Sequence, residues 1–416
     1  MRLIRLVIAG ILFIVISCDT AGDQNDRTHF IRYYGQDGDH EAADMVVNTD
    51  GSIVVLGTAE FPANSGNRRI YLAKIDDQNN TMWEKQLGDF TENAKDIESI
   101  FAGAYAGGYL ILSNPVIDVD GNTGIKILRV DQDGIKIDSL LLSGASFLPS
   151  SFANSITPLQ DGGFIVTGNT KNTNLILLDN AYVIPDQEDL LTLRYSESNS
   201  LVWQSTFGSG PEESGIKVFQ ENANTFNYAG YTNATHSGEP NAAGNFDLNF
   251  FYLTLNDAGV NSSAIYSGSP TEGEQMNAIT RTPFGDYIAV GTTNQSSGSK
   301  RVFISRIVGN FSTVDKEESR TFDGEGISIS PSGGSNILVV GNEITAGGSR
   351  DIWLTKLSRD LEDLKSFPVS FGASGDDDTA NAVAELPNGD IVILGTMNLV
   401  NQNKIALIKL TATGNF

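Results

Sequence analysis

The stretch THFIRYYGQDG, residues 28–38, decides the fold because it closes a repeated unit before any unit has begun. Segments of the same kind end units later in the chain, as in TMWEKQLGDF at 81–90, LVWQSTFGSG at 201–210 and KSFPVSFGASG at 365–375. A closing segment at the start indicates a unit whose other strands lie at the far end of the chain. The remaining repeats show which unit it completes.

Each unit contains two recurring phrases that read as β-strands. The first is a turn, an apolar strand and a glycine, often followed by threonine; its copies are DGSIVVLGTA, GGYLILSN, DGGFIVTGNT, NTFNYAGYT, FGDYIAVGTT, GSNILVVGNE and NGDIVILGT. The second is an apolar strand with a basic residue near its end, from IYLAKI at 70–75 to IALIKL at 405–410. Lys74 and Lys409 hold the same position in the first and last copies, so the mean period is near 56 residues.

Short apolar strands also precede the first phrase and follow the second, so each unit predicts one four-stranded antiparallel sheet. The middle strands are apolar on both faces, as expected of a sheet that is covered on both sides. Radial stacking of the sheets buries both faces, and the sequence therefore predicts an all-β fold, a seven-bladed β-propeller. An open β-solenoid is the alternative, but it leaves the partial units at the two chain ends unexplained.

The seventh unit supports the ring because it ends one strand short, at IALIKLTATGNF (405–416). The missing fourth strand is HFIRYYG (29–35), so the N-terminal strand is predicted to close the last blade. The predicted propeller spans residues 29–416. Insertions at 170–189 and 231–248 separate the second and third strands of the third and fourth units.

The first seventeen residues, MRLIRLVIAGILFIVIS, are typical of a lipoprotein signal peptide and not of a folded domain. Arg2 and Arg5 precede an apolar run that is too short for a membrane helix of roughly 20 residues. Cys18 is the only cysteine and directly follows this run, in a context that resembles a bacterial lipobox. We expect Cys18 to be lipidated and residues 18–28 to form a polar tether. The alternative is an ordinary secretory signal followed by a chance cysteine.

The composition excludes several classes of partner. The formal net charge is −24, with 51 acidic residues against 27 basic ones. Such a surface repels nucleic acid, so no nucleic-acid partner is expected, and most of this acidity is interpreted as keeping the protein soluble. With Cys18 lipidated, no thiol remains for a disulfide, a thiolate metal site or a cysteine nucleophile.

Units of the form DGG-apolar-G-x-T, apolar-Lys-apolar and W/F-x-x-x-x-G resemble a broad group of propeller lipoproteins of Bacteroidota. The resemblance covers residues 29–416 and implies a propeller that is lipid-anchored at the outer membrane, at the cell surface in preference to the periplasmic leaflet. Surface export in these bacteria uses a contiguous acidic run, whereas the tether CDTAGDQND spreads its acids out. The resemblance implies no particular activity.

An acidic residue precedes the first strand of most units. These residues are Glu41, Glu92, Glu213, Glu274, Asp377 and Asp378. The fourth-to-first and second-to-third connections of a propeller emerge on one rim, so these carboxylates are expected around one mouth of the central channel. They would attract a basic protein segment or hold a cation there, although acidic residues equally suit solvated, glycine-rich turns.

Two further sets of residues are candidates for ligand binding. Tyr182, Tyr231 and Phe246 are the aromatic residues that a glycan site on the rim would use, and His236 lies in the insertion of the fourth unit. The set DVDGN resembles the start of a calcium loop through Asp118, Asp120 and Asn122. Its twelfth position is Arg129, where calcium requires a carboxylate, so a plain turn is favoured.

The sequence contains no metal-ligand spacing such as HExxH, and we predict neither a cofactor nor a catalytic residue. The first functional hypothesis is a scaffold subunit that presents its rim to outer-membrane or other envelope proteins, including β-barrels. The alternative is a lipoprotein that binds a surface glycan or a small ligand. An enzyme, such as a hydrolase or lyase, is less favoured and would require acids with raised pKa in the channel mouth.

Overall fold

In the computed structural model the chain folds into short antiparallel strands, and the described part contains no α-helix. A single 3₁₀ turn, Gly333–Ser335, is its only helical segment. The described residues are 29–63, 65–89, 91–117, 121, 123–143, 151–171, 188–207, 212–233, 248–259, 261–269, 272–295, 298–372, 377–399 and 402–416.

The strands are numbered in chain order. Their bounds are β1 (Phe30–Tyr34), β2 (His40–Val47), β3 (Ile53–Glu60), β4 (Arg68–Ile75), β5 (Thr81–Leu87), β6 (Ala94–Ser99), β7 (Tyr109–Ser113), β8 (Ile125–Val130), β9 (Lys136–Leu142), β10 (Ser151–Pro158), β11 (Phe164–Thr170), β12 (Asp189–Tyr195), β13 (Leu201–Phe207), β14 (Glu213–Asn222), β15 (Thr225–Thr232), β16 (Asn249–Asn256), β17 (Asn261–Ser267), β18 (Gly273–Arg281), β19 (Tyr287–Asn294), β20 (Lys300–Val308), β21 (Thr313–Ser332), β22 (Asn336–Ile344), β23 (Arg350–Leu357), β24 (Val369–Phe371), β25 (Asp378–Glu385), β26 (Ile391–Leu399) and β27 (Gln402–Leu410).

Consecutive strands pair into antiparallel sheets that follow the sequence repeat. Four-stranded sheets run β2-β3-β4-β5, β6-β7-β8-β9, β10-β11-β12-β13 and β14-β15-β16-β17. Strands β18 to β24 form one seven-stranded sheet, because β21 pairs with β20 through its first half and with β22 through its second half. The inner strands are rich in Val, Ile, Leu and aromatic residues, and β7 and β8 are buried along their whole length.

The first strand of the chain completes the last sheet, whose order is β1-β27-β26-β25. Phe30 lies opposite Lys409 and Tyr34 lies opposite Ile405. Tyr34 is buried in an apolar cluster that joins strands β2–β4 to strands β25–β27. The predicted pairing of HFIRYYG with the last unit is therefore confirmed.

Apolar clusters fill the spaces between successive sheets. Among the described residues there are seven, and each combines side chains from two neighbouring units. One lies within the seven-stranded sheet, where Val290 and Ile304 of its first part pack with Val339 and Trp353 of its second. Since each fully buried Val, Leu, Ile or Phe contributes roughly 1.5–3 kcal/mol, these clusters hold the sheets together. The succession returns to its starting sheet, so the fold is a β-propeller.

A β-bulge recurs in the first strand of every unit. In each case one residue is skipped in the register with the second strand, as between Ala153 and Ser155 of β10. The skipped residues are Ala43, Lys95, Asn154, Ile216, Asn277, Ile327 and Asn381.

The recurring glycine of the first sequence phrase lies directly opposite this bulge. A Cβ atom added at Gly168 would lie 1.9 Å from the carbonyl oxygen of Phe152, and one at Gly230 would lie 2.2 Å from that of Ser214. Gly57, Gly291, Gly341 and Gly395 make the same approach. The glycine is therefore required by the close approach of the two strands, and in the second unit Ser113 occupies its place.

We expect Gly168→Ala to lower the free energy of unfolding by about 2 kcal/mol, because the added methyl group forces the two strands apart. Gly347→Ala is the matched control, since its Cβ would meet nothing closer than 3.7 Å. Urea denaturation of both variants measures the difference. Equal midpoints would show that the bulge absorbs the extra atom.

Candidate functional site

The first strands of all units surround a central channel. The channel holds a cavity of about 740 Å³. Its walls are stretches of the seven strands that carry the bulges, namely β2, β6, β10, β14, β18, β21 and β25. It extends from the level of the bulges to the turns that follow these strands, where Thr49 and Pro387 line it, together with Pro331 near the end of β21.

The residue that follows each bulge forms a layer in the channel wall, and this layer is asymmetric. On the side of the first four units it contains Asp44, Asp96, Ser155 and Lys217, and on the side of the last three it contains Ala278, Ser328 and Ala382. At this level of the channel, charged groups thus occupy one half of the wall and small uncharged residues occupy the other half, while Glu385 of the last unit lines the cavity nearer the turns.

The charged half is an ionic cluster around Lys217. Its ammonium Nζ lies 3.6 Å from Asp96 Oδ2 and forms an ion pair with Glu98 Oε1. The side chains of Asp96, Lys217 and Glu98 are 10%, 21% and 33% exposed, so they are largely enclosed but still face the cavity. The cluster therefore combines enclosure with access from the channel.

The carboxylates also link neighbouring sheets. Asp96 Oδ2 accepts a hydrogen bond of 2.7 Å from the backbone N–H of Ile156 in the next unit. Asp44 Oδ2 likewise accepts one of 3.2 Å from the N–H of Ile97. Because these bonds cross from one innermost strand to the next, the positions of both carboxylates are fixed by the ring itself.

The surroundings of Asp44, Asp96 and Glu98 shift the pKa values of these acids in different directions. Burial raises the pKa of Asp44 well above its ordinary value, and the neighbouring charge of Asp96 raises it further. Burial also raises the pKa of Glu98, with Lys217 opposing it. At Asp96 burial is outweighed by Lys217 and by hydrogen bonds, so its pKa is lowered. The pKa values of the neighbouring Asp44 and Asp96 are therefore shifted in opposite directions, and the cluster contains an ammonium group that donates and carboxylate oxygens that accept hydrogen bonds.

An aromatic residue and several amides complete the channel wall. Phe219, two residues after Lys217, lines the cavity, and its ring meets Tyr287 edge to face at 5.1 Å between centroids. The bulged Asn154 donates from Nδ2 to the carbonyl oxygen of Gly215 at 2.9 Å, and Asn277 donates to that of Gly326 at 2.7 Å. The ring of Phe219 therefore offers an apolar surface next to the charged groups.

The acidic residues predicted for the rim are placed differently from the expectation. Glu92, Glu213, Glu274 and Asp378 are at most 3% exposed, and none of the six lines the cavity in the described part of the chain. Only Glu41, paired with Arg68, and the exposed Asp377, which accepts the N–H of Arg350 at 2.9 Å, lie near solvent. The predicted ring of solvent-facing carboxylates at the channel mouth is therefore wrong for the four buried residues.

The physical reason is a cross-strand pair between the acid and a hydroxyl group. Glu213 accepts a hydrogen bond of 2.7 Å from Thr232, and Glu274 accepts one of 3.0 Å from Thr293. Both threonines are the last residue of a Gly-x-Thr phrase and lie opposite the acid in the register. In the second unit Ser113, which occupies the glycine position, donates to Glu92 at 2.6 Å instead. The recurring acid and the recurring threonine thus serve the structure of the unit.

Of the aromatic and calcium-loop candidates, only Tyr231 lies among the described residues. Tyr231 is buried, and its hydroxyl accepts a hydrogen bond of 3.3 Å from Gln275, so it is not an exposed rim residue as predicted. It packs in the cluster between the fourth and fifth units. The other candidates lie outside the described residues: Cys18, Tyr182, His236, Phe246, Asp118, Asp120 and Asn122.

Within the described ranges, no group of three or more His, Cys, Asp or Glu side chains is arranged to hold a metal ion. Over the same residues, no helix has the length and apolar character needed to cross a bilayer.

Comparison with known proteins finds similar solved structures at low sequence identity. No family model matches the chain, and no curated protein matches it significantly. The chain is similar to a solved protein of unknown function from Dyadobacter fermentans, with 13% identity, 92% of this chain and 97% of that chain covered, and a TM-score of 0.53.

It is also similar to an ulvan lyase of polysaccharide lyase family PL25, with 9% identity, 92% and 96% coverage and a TM-score of 0.55. The β-propeller domain of the Trilobed protease from Pyrococcus furiosus aligns with 9% identity, 90% and 94% coverage and a TM-score of 0.49. At these identities the likeness concerns the fold alone.

Glu274 provides a test of the buried acids. Burial raises its pKa from 4.5 to about 8, so the folded state holds this proton more tightly than the unfolded state. Its contribution to stability is complete below pH 4.5 and is lost as the pH rises toward 8. We expect Glu274→Gln to remove this loss and to be more stable than the parent at pH 8 by a few kcal/mol.

Denaturant unfolding of the parent and of Glu274→Gln at pH 5, 6.5 and 8 measures this effect. Glu84→Gln, at an exposed position of β5, is the control and should leave the pH profile unchanged. Parallel profiles for the parent and Glu274→Gln would contradict the raised pKa.

Lys217 tests the ionic cluster. Lys217→Met leaves Asp96 and Glu98 without their cation, and we expect the free energy of unfolding at pH 7 to fall by about 3 kcal/mol. The deficit should shrink as the pH falls below the raised pKa of Glu98, because a protonated carboxyl no longer needs the ammonium group. Lys95→Met, at an exposed position of the same wall, is the control. A deficit independent of pH would indicate lost packing instead.

Proposed function

We propose that this protein is a lipid-anchored propeller of the bacterial outer membrane, with seven blades, whose central channel binds a small, hydroxyl-rich ligand of the carbohydrate class. A count of seven blades is supported by β21, because its first half pairs with β20 and its second half pairs with β22. This one long strand thus contributes to two neighbouring blades. The count is further supported by the seven apolar clusters between neighbouring units.

The proposed location at the outer membrane rests on the sequence. The signal peptide at 1–17, the single Cys18 and the resemblance to Bacteroidota propeller lipoproteins favour lipidation and the cell surface. Incorporation of labelled palmitate into the parent but not into Cys18→Ser tests the anchor. Label in both proteins, or in neither, would contradict it.

The observation that carries the binding function is the asymmetric channel. In a cavity of about 740 Å³, the Asp44–Asp96–Glu98–Lys217 cluster faces the small residues Ala278, Ser328 and Ala382 at the same level of the channel. Ligand sites are concave, usually preformed, and contain a few convergent polar groups. Hydroxyl groups of a saccharide both donate and accept hydrogen bonds, which matches the Lys217 ammonium group and the carboxyl groups of the cluster. Phe219 supplies an apolar contact beside them.

The test is calorimetric titration of the full chain with a panel of neutral, acidic and amino sugars, preceded by thermal-shift screening. We expect at least one class to bind, and Asp96→Asn to weaken that binding by tenfold or more, or about 1.4 kcal/mol. Asn retains an oxygen that accepts the N–H of Ile156, so the fold should persist. Glu84→Gln is the control on the outer surface.

Ligand that binds equally well to Asp96→Asn would place the site elsewhere. Absence of binding across the panel would contradict the proposed function. Release of shortened or unsaturated sugars during the titration would instead assign an activity to the acids of the cluster, two of which have the raised pKa that an enzyme would need.

A scaffold role for envelope proteins is the second candidate. The observation that favours it is a set of half-exposed apolar side chains on the outermost strands, such as Tyr33 on β1 and Leu141 on β9. Mild-detergent extraction of the tagged full chain, followed by mass spectrometry, tests this role. Envelope subunits recovered in near-equal amounts would support it, and recovery of the propeller alone would contradict it.

A further inference from the structure

The antiparallel register fixes the face of the ring from which the N-terminal segment leaves. Phe30, at the start of β1, lies opposite Lys409 at the end of β27, and His29 Nε2 lies 3.4 Å from Asp390 Oδ1 in the turn between β25 and β26. This face, called the lower face, carries the turns from first to second strands and from third to fourth strands. The chain therefore meets its tether on the lower face.

The most exposed large apolar side chains of the described residues lie on the lower face. Besides Phe416 at the end of the chain, those with half or more of their surface exposed are Met82, Phe101, Ile135, Val202 and Phe284. Each lies in a lower turn or is the second residue of a fourth strand. On the opposite face Leu141, near the end of β9, is 49% exposed, and Phe61, Val116, Phe152 and Ile344 are exposed by 40% or less.

Most of these side chains lie on one side of the ring. Met82, Phe101, Ile135 and Val202 belong to the first three units, which follow directly on the sheet that contains β1. Ile31, exposed near the start of β1, extends the same side. These five residues are called the lower arc.

Phe284 stands apart from the lower arc, in the turn between β18 and β19 on the other side of the ring. The guanidinium group of Arg359 covers its ring, at 5.1 Å from the ring centroid. Phe284 therefore has a partner within the protein, and it provides an internal comparison for the lower arc.

We propose that the lower arc rests on the lipid bilayer that holds the anchor at Cys18, so that the ring stands tilted with its first three units against the membrane. The inference rests on the proposed lipid anchor. Cys18 and His29 are eleven residues apart, a span of at most about 40 Å, so the tether keeps the lower face near the bilayer. Met, Phe, Ile and Val side chains gain by insertion at the boundary of headgroups and acyl chains.

Single exposed apolar residues are normal on a protein surface, but a one-sided set next to the tether is not required by the core. The acidic surface of the protein disfavours strongly anionic lipids, so a bilayer rich in zwitterionic headgroups is the expected surface. The lower turns also form the mouth of the channel cavity. A tilt onto the first three units leaves this mouth open on the side of the last three.

Cysteine labelling tests the proposal, because Cys18 is the only native cysteine and is consumed by the lipid. The full lipidated chain is reconstituted into phosphatidylethanolamine–phosphatidylcholine vesicles with single variants Met82→Cys, Ile135→Cys, Phe284→Cys and Val116→Cys. Each carries an environment-sensitive fluorophore. We expect a blue shift and quenching by bromolipids at positions 82 and 135, and neither effect at positions 284 and 116.

The outcomes separate the two proposals. Vesicle flotation of the parent, lost in Cys18→Ser, reports the anchor independently of the probes. Flotation with equal quenching at all four positions, or with none, overturns the lower arc while the anchor stands. Protection of positions 82 and 135 without lipid quenching would assign the arc to a protein partner or a second copy and likewise overturn the proposal. A parent that does not float overturns the anchor on which the proposal rests.

Discussion

The burial of both faces of every sheet is the constraint on which the structure depends. A sheet whose inner strands are apolar on both sides can be stable only between two neighbours. In an open stack the first and last sheets would each leave one apolar face exposed to water. Pairing of β1 with β27 resolves this, because it completes the last sheet and lets Tyr34 join the cluster between the first and last units. The order of strands along the chain then follows from ring closure.

Within each unit the repeated sequence is explained by one local geometry. The bulge in the first strand brings its backbone against the second strand, so a glycine is required at positions such as Gly168 and Gly230. Two residues further on, a threonine donates to the buried acid of the first strand, as Thr232 does to Glu213. A buried carboxylate without such a partner would be costly, so acid and hydroxyl recur together.

The periodic features of the fold could be predicted from sequence, and the site could not. The repeated strand segments predict the sheets, and the displaced segment HFIRYYG predicts the closure of the ring. Both can be recognised in the sequence from their apolar periodicity. The buried position of Glu274 could not be predicted, since sequence spacing does not show which way an acid faces. The grouping of Asp44 and Asp96 could not be predicted either, although both lie in equivalent first strands. Only ring closure brings Asp96 to Lys217, a contact across more than one hundred residues.

Departures from the repeat mark the places where the ring is not symmetric. The ionic cluster lies on the side of the first four units, whereas the last three contribute Ala278, Ser328 and Ala382 at the same level of the channel. The lower arc belongs to the first three units as well. A tilt onto that arc would leave the lower mouth open on the side of the last three units, and a ligand entering there would pass Glu385 and then the small residues before it reaches the carboxylates of the cluster. Position on the membrane and access to the channel would then be set by the same side of the ring.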